Sequence, residues 1–453
     1  MQRTTRLLAL AAALLSCAWW RFVLGATPRT IDATTYWLQA RALAHGHLTW
    51  TPPGPRASYI GRFLLVGADG GVGGIFPQGF PLVLAPALVI RAPWITGAMV
   101  AAGLVFATAA LASELEARAP TRGRARALAA ALSVCCATLR LHTAETMSHG
   151  LTALAVALAL WAAMRFARTG RRPLALVSCL ALGVLATTRP ISALAVGLAS
   201  AALIASRRDL AAALTGALGA LPGVALHLTT QRAITGRWGV ASQALYYARS
   251  DGPSGCFGYG FGAGIGCRVE HGDFVARYLP HGHGLATAIG VTMRRLAAHV
   301  GDIANVSPLA LVMPWAFFAL RRDVTAQAAL VVTAGHALAY APFYFDGNLA
   351  VGGARMLSDV LPVEHAVVAV ALARGDRQRA PLRFAGHRCI EEHALRAIEQ
   401  PYHRRHSRLK MTRSDVALRD ARTVDLEPFV SRFDPRPHPR APRRRGLEDG
   451  RRR

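Results

Sequence analysis

The chain has 453 residues, 53% of them apolar and 17% charged, with a formal net charge of +27. Soluble globular chains carry about 25% charged residues, and the mean hydropathy here is positive, at +0.29, so an ordinary soluble domain is excluded. Nearly every basic residue is arginine, Lys410 being the single lysine, and many fall after Gly375. A nucleic-acid reading of the basic charge therefore applies to that tail at most, and no nucleic-acid partner is expected.

In chain order, long uncharged Ala- and Leu-rich runs approach the roughly 20 residues that cross a bilayer. They predict spans at 7–25, 94–113, 125–141, 150–166, 173–188, 190–206, 209–228, 304–320, 324–342 and 357–373. Arg3 and Arg6 precede the first run, but no small-residue cleavage site follows promptly and Trp19, Trp20 and Arg21 close it. It reads as a retained helix rather than a signal peptide. With the N-terminus inside, the loops EARAPTRGRAR, RFARTGRRP, SRRD and RRD and the tail from ARGDRQR are short and Arg-rich, while the opposite loops are longer and less densely basic. This alternation follows the positive-inside rule and puts both termini of a multi-pass inner (plasma) membrane protein in the cytoplasm. The segment 80–90, FPLVLAPALVI, holds two prolines and is too short to cross, so it is expected to be an interfacial or re-entrant helix. The fold class expected is all-α. It is a polytopic transmembrane helix bundle of about ten spans, with two long extracytoplasmic loops, 26–93 and 229–303. The domain runs over 1–373, and 374–453 form a basic, low-complexity cytoplasmic tail.

Both outer loops are too long to be mere connectors. In the first, Asp32, Tyr36, Gln39 and Leu43 recur at helical spacing and predict a short helix on the membrane surface. Asp32 reads in two ways: as a helix cap or partner for Arg29, or as a general base or an anchor for a cationic or metal-bound group. Phe76-Pro77-Gln78-Gly79-Phe80-Pro81 predicts a rigid turn into an apolar stretch.

These residues carry a resemblance. Asp32 just after the first span, then Tyr36, then Ala40, Leu43 and Gly46, with a proline-rich step into a short apolar helix from Phe76 to Leu84, resemble membrane glycosyltransferases of the C-type fold. The protein-mannosyltransferases and aminoarabinose transferases are of this kind. The resemblance is clearest over 1–115 and rests on topology alone to about 373. The family pattern places a second acid directly after the first; Ala33 stands there in this chain. The resemblance implies transfer of a sugar from a polyprenyl-phosphate carrier to an acceptor on the extracytoplasmic face, with membrane lipid as the other partner. It makes Asp32 the base or acceptor anchor. No cofactor is assigned, and a divalent metal is left open.

Other outer-face residues fit that chemistry. His142, Glu145 and His149 are spaced three and four apart and on one helix would share a face; the set reads as a hairpin end, as a substrate-facing acid at Glu145, or less readily as a metal site, since the two-His zinc spacing is absent. Arg189, in TTRP between two apolar runs, must snorkel or face a wet cavity, where a carrier phosphate is its natural partner. In CFGYGFGAGIGC, Cys256 and Cys267 can close a disulfide loop outside the cytoplasm. Tyr246, Tyr247, Tyr259, His271, Asp273 and Tyr278 are candidate sugar-pocket residues. Asp346, Asn348, Arg355, Asp359, Glu364 and His365 lie close together in sequence, with Arg355 four residues before Asp359 and able to pair with it on one helical face. Ionised groups at the mouth of a span mark a functional site by default. The expected catalytic residues are thus Asp32 and Glu145, and the expected substrate-binding residues are Tyr36, Arg189, His149, Arg355 and Asp359.

After Gly375 the apolar patterning stops. The tail reads as disordered: an anionic-lipid clamp, a nucleic-acid tail, or an out-of-frame reading of a GC-rich gene, with nothing catalytic in it. The rival to glycosyl transfer is a polytopic transporter or lipid-carrier flippase, which would show internal repeats and broken helices with charges at mid-membrane. A non-enzymatic scaffold is a third reading, and it leaves the two long loops unexplained.

Overall fold

The computed structural model describes residues 2–52, 54–55, 63–67, 69–117, 123–249, 259–305, 307–349 and 352–375. The chain divides into two units, 1–380 and 381–453; the second, and with it almost all of the predicted tail, lies outside the described residues.

Helix α1 (Gln2–Ala18) continues into a π-helical turn at Trp19–Val23, and α2 (Ile31–Ala44) follows. Thr30 starts α2 by accepting the Ala33 amide on its hydroxyl. A two-stranded antiparallel hairpin comes next, β1 (Leu64–Val66) and β2 (Val72–Gly74), with Val66 opposite Val72. It is a small exception in a mainly helical chain, and the left-handed Gly70 in its turn accounts for the reversal. Helix α3 (Gly79–Val89) occupies the predicted re-entrant segment, and α4 (Trp94–Leu115) is a long apolar helix.

The predicted span 125–141 is broken into α5 (Arg124–Cys135) and α6 (Ala137–Ala144), bent by 61° at Cys136. Asn305 closes the break from outside. Its Oδ1 accepts the Ala137 amide at 3.0 Å and its Nδ2 donates to the Cys135 carbonyl at 2.8 Å. Helix α7 (His149–Thr169) ends on the left-handed Gly170. Then α8 (Arg172–Thr188) and α9 (Pro190–Ala205) are separated by Arg189 alone. A residue before proline is driven out of the helical region, and Arg189 sits at φ −144, ψ 88.

Helix α10 (Leu210–Thr235) is capped by Asp209 and packs extensively along α8. Helices α11 (Ser242–Arg249), α12 (Arg268–Tyr278) and α13 (Leu285–Val300) fall within 229–303, followed by α14 (Ser307–Ala319), α15 (Val324–Ala339) and α16 (Leu361–Gly375). Helix α16 is buried all round, from Val363 through Ala366 to Ala371, as an apolar helix at the centre of a bundle must be. It packs against α4, α5, α14, α15 and α7.

Among the described residues four helices are long and apolar enough to cross a membrane: Gln2–Val23, Trp94–Leu115, His149–Thr169 and Leu210–Thr235. The bent α5–α6 pair makes a fifth if it is one span, and five shorter apolar helices accompany them. Leu194, Leu198, Leu214, Leu218 and Leu311 point outward, each more than half exposed. Such a surface belongs in lipid rather than water.

Candidate active site

The site assembles where α2, the α6–α7 turn, the α8–α9 break and the turns before α16 meet. Asp32 lies in the first turn of α2. Its Oδ2 accepts Nη1 of Arg355 at 2.5 Å, and both side chains are partly exposed. Asp32 and Arg355 are 323 positions apart in the sequence. This corrects two expectations. Arg355 pairs with Asp32 and not with Asp359, because 355–357 form a turn rather than helix. Arg29 does not hold Asp32; its Nε donates to the Leu24 carbonyl at 2.6 Å.

Glu145 ends α6 in an extended conformation, and α7 begins only at His149. His142, Glu145 and His149 therefore do not share one helical face as the spacing allowed. Glu145 accepts the Thr30 hydroxyl at 3.2 Å, so the residue that caps α2 also holds the second carboxyl beside Asp32. Burial pushes the Glu145 carboxyl above its ordinary value, and the neighbouring Asp32 charge adds to the rise, against the Thr30 hydrogen bond and Arg355. The turn is fixed to α2 twice more: Thr146 donates to the Ala33 carbonyl at 3.1 Å, and the Tyr36 hydroxyl bonds Ser148 Oγ at 3.0 Å.

Arg189 reaches into the same place. Its Nη1 lies 3.3 Å from Asp359 Oδ1 and contacts Nδ1 of His149, while its guanidinium stands 5.3 Å over the Tyr340 ring. Asp359 is fully buried in a short 3-10 turn, Ser358–Val360, and also accepts the Ser192 hydroxyl at 2.8 Å. His336 Nε2 is 3.6 Å from the same oxygen, Oδ2. The rings of His142 and His149 are 4.7 Å apart, and His142 Nε2 bonds the Gly352 carbonyl at 3.1 Å. Among the described residues no group of His, Cys, Asp and Glu side chains forms a metal-ligand set. The triad His142, Glu145 and His149 does not fit one, since its members face Gly352, Thr30 and Arg189 respectively.

All seven expected residues thus gather in one region: Asp32, Tyr36, Glu145, His149, Arg189, Arg355 and Asp359. The candidate sugar-pocket residues divide. Tyr246 and Tyr247 pack in an apolar cluster with Leu65, Ile75 and Ile234. The Tyr259 hydroxyl donates to the Ala339 carbonyl, Tyr278 lies under Arg294, and Asp273 is exposed. His271 feels the charges of Arg355 and Asp32; burial, then Arg355, lowers its pKa to about 4. Cys267 is disulfide-bonded, and Cys256 lies outside the described residues.

The remaining carboxylates serve the frame. Asp346 pairs with Arg294 at 3.0 Å, and Glu364 accepts His299 at 2.7 Å. Burial opposes a charge on His299, but Glu364 and Asp302 outweigh it and raise the imidazole to about 10. His365 is fully buried with neither ring nitrogen paired among the described residues. The buried Arg295 donates to the carbonyls of Tyr340, Phe343, Phe345 and Asp346, holding the chain that returns toward Arg355. Sequence reasoning missed Thr30, Ser148, Ser192 and His336. A histidine within the apolar run VVTAGHALA carried a signal of its own, since an ionisable group there needs a partner; the hydroxyls carried none.

No family model and no curated protein matches the chain. Among solved structures it is similar to the archaeal oligosaccharyltransferase AglB from Archaeoglobus fulgidus in complex with an inhibitory peptide and a dolichol-phosphate. That match has 13% identity and a TM-score of 0.46, over 91% of this chain and 53% of that one. The Archaeoglobus fulgidus oligosaccharyltransferase in complex with Zn and sulfate is similar at 13% identity and a TM-score of 0.45, over 82% and 49%. The chain spans about half the length of these proteins.

Proposed function

We propose that the protein is a membrane glycosyltransferase that moves a sugar from a polyprenyl-phosphate carrier to an acceptor on the extracytoplasmic face. In this reading the chain makes ten spans with both termini cytoplasmic, 1–373 is the catalytic domain, and 374–453 takes no part in the chemistry. The observation that carries the reading is the pairing of Asp32 with Arg355 beside the pairing of Arg189 with Asp359, two acids and two guanidiniums from distant segments.

The reaction needs a base for the acceptor and cations for the leaving phosphate. The acceptor's nucleophilic atom forms the new bond to the anomeric carbon, and its proton passes to Asp32. The anomeric carbon–oxygen bond breaks with its electron pair going to the carrier phosphate. Arg189 and Arg355 hold that phosphate, for which a guanidinium's forked donors are suited. A carboxylate paired to a guanidinium is a poor base. Phosphate arriving at Arg355 competes for the guanidinium and frees Asp32, so donor binding prepares the acceptor's base. Glu145, Tyr36 and His149 line the place, and Asp359 keeps Arg189 charged and aimed.

The test is incubation of vesicles containing the protein with labelled polyprenyl-phosphate sugars, followed by analysis of the extracytoplasmic products. Transfer of label to a non-lipid acceptor is expected. Movement of the lipid across the bilayer without transfer from any donor would overturn the reading in favour of a flippase.

A further inference from the structure

Gln78 closes the turn that leads into α3. Its side chain does not cap the helix, and it is 1% exposed. Among the described residues neither its Oε1 nor its Nε2 meets a partner. Native proteins keep few buried polar atoms unpaired, and one that stays so calls for water or a ligand. Gln39, 0% exposed, repeats the pattern by half. Its Nε2 donates to the Phe76 carbonyl at 2.8 Å and toward Gly74 at 3.4 Å, while its Oε1 is buried without a partner.

Both glutamines are linked to one aromatic group through the segment 76–80. The Tyr36 ring stacks on Phe76 at 4.6 Å and meets Phe80 edge-on at 5.7 Å, and these two phenylalanines flank Gln78 in the chain. On the other side Gly79 is pressed against Thr187, two residues before Arg189; a methyl group at Gly79 would lie 2.7 Å from the Thr187 carbonyl oxygen. Gln78 thus stands in the chain between Phe76, which stacks on Tyr36, and Gly79, which packs on Thr187, and Gln39 is bonded to the Phe76 carbonyl. An amide donates and accepts without charge, which matches the hydroxyls of a neutral sugar, and the partly buried Phe76 ring beside it is apolar. A carboxylated sugar would need a cation there, and Arg189 and Arg355 are already engaged.

We infer that Gln78, with Gln39, forms an uncharged subsite that hydrogen-bonds the hydroxyls of a neutral glycosyl unit on the carrier. This inference rests on the transferase reading and makes Gln78 a specificity residue that sits apart from the phosphate-binding arginines.

The test is equilibrium binding, in nanodiscs, of bare polyprenyl phosphate and of a panel of polyprenyl-phosphate hexoses, pentoses and uronic acids. The full chain would be compared with Gln78→Met, which keeps length and removes the amide, and with Gln78→Asn, which keeps the amide and withdraws it. The wild type is expected to bind one neutral glycosylated carrier more tightly than the bare carrier. Each variant is expected to lose about tenfold of that margin while binding the bare carrier as before. A margin unchanged in both variants would overturn the inference and leave the amide to an ordered water. A preference for the uronic acid would overturn it as well. Failure of the wild type to bind any carrier would instead remove the transferase reading itself.

Discussion

Asp32 and Asp359 each face a guanidinium, but the two pairs differ in burial, and the difference predicts different responses to truncation. Arg189 and Asp359 have side chains 11% and 0% exposed. Removing one member of a buried pair strands the other charge, which costs about 3–5 kcal/mol. Arg189→Ala is therefore expected to lower unfolding stability in detergent by that order; an unchanged melting transition would contradict the pairing. Arg355 and Asp32 are 17% and 16% exposed, so solvent screens this pair more than the other and loss of one partner is expected to cost less. Arg355→Ala is expected to fold almost normally yet to bind polyprenyl phosphate at least tenfold more weakly, by roughly the strength of one charge-assisted hydrogen bond; retained affinity would remove Arg355 from the phosphate site. At this scale the sequence was legible in part. Charges stranded beside apolar runs, Arg189 and Asp359 among them, marked themselves by their cost in lipid. Their partners did not. Spacing pointed from Arg355 to Asp359, whereas the turn at 355–357 and the long return of the chain deliver Arg355 to Asp32 instead.

The helices were legible where hydropathy and turn residues agree. The α8–α9 break at Arg189-Pro190 and the start of α4 at Trp94 fall where the apolar runs and Pro190 put them. The bend at Cys136 was hidden, because neither proline nor glycine marks it and its backbone groups are satisfied by Asn305, from a distant segment. The β1–β2 hairpin was hidden by its brevity. Element packing at the site depends on a close approach between α3 and the end of α8, where Gly79 leaves no room for a side chain against Thr187. Gly79→Ala is expected to cost about 1–3 kcal/mol and, by displacing the segment that leads to Arg189, to weaken carrier binding as well. Thermal unfolding and carrier binding measured on the same preparation check both effects, and a neutral outcome in the two would contradict the packing described.

On the scale of the whole molecule, the buried α16 is tied to α13 by an ion pair between Glu364 and His299, a histidine whose proton matters. The pKa of His299 is about 10 in the folded protein against an ordinary 6.5. Its contribution to stability is therefore full below about pH 6.5 and is lost as pH rises through about 10. The denaturation midpoint is expected to fall across that window, and His299→Gln, which cannot titrate, should flatten the slope; equal slopes would contradict a protonated His299. The central claim, that Asp32 takes the acceptor's proton, is tested most directly by comparing sugar transfer in vesicles by the wild type and by Asp32→Asn, from the same labelled polyprenyl-phosphate donor. The account predicts that Asp32→Asn transfers sugar roughly 100- to 10,000-fold more slowly while binding the donor with undiminished affinity. Equal transfer rates in the two proteins would contradict it.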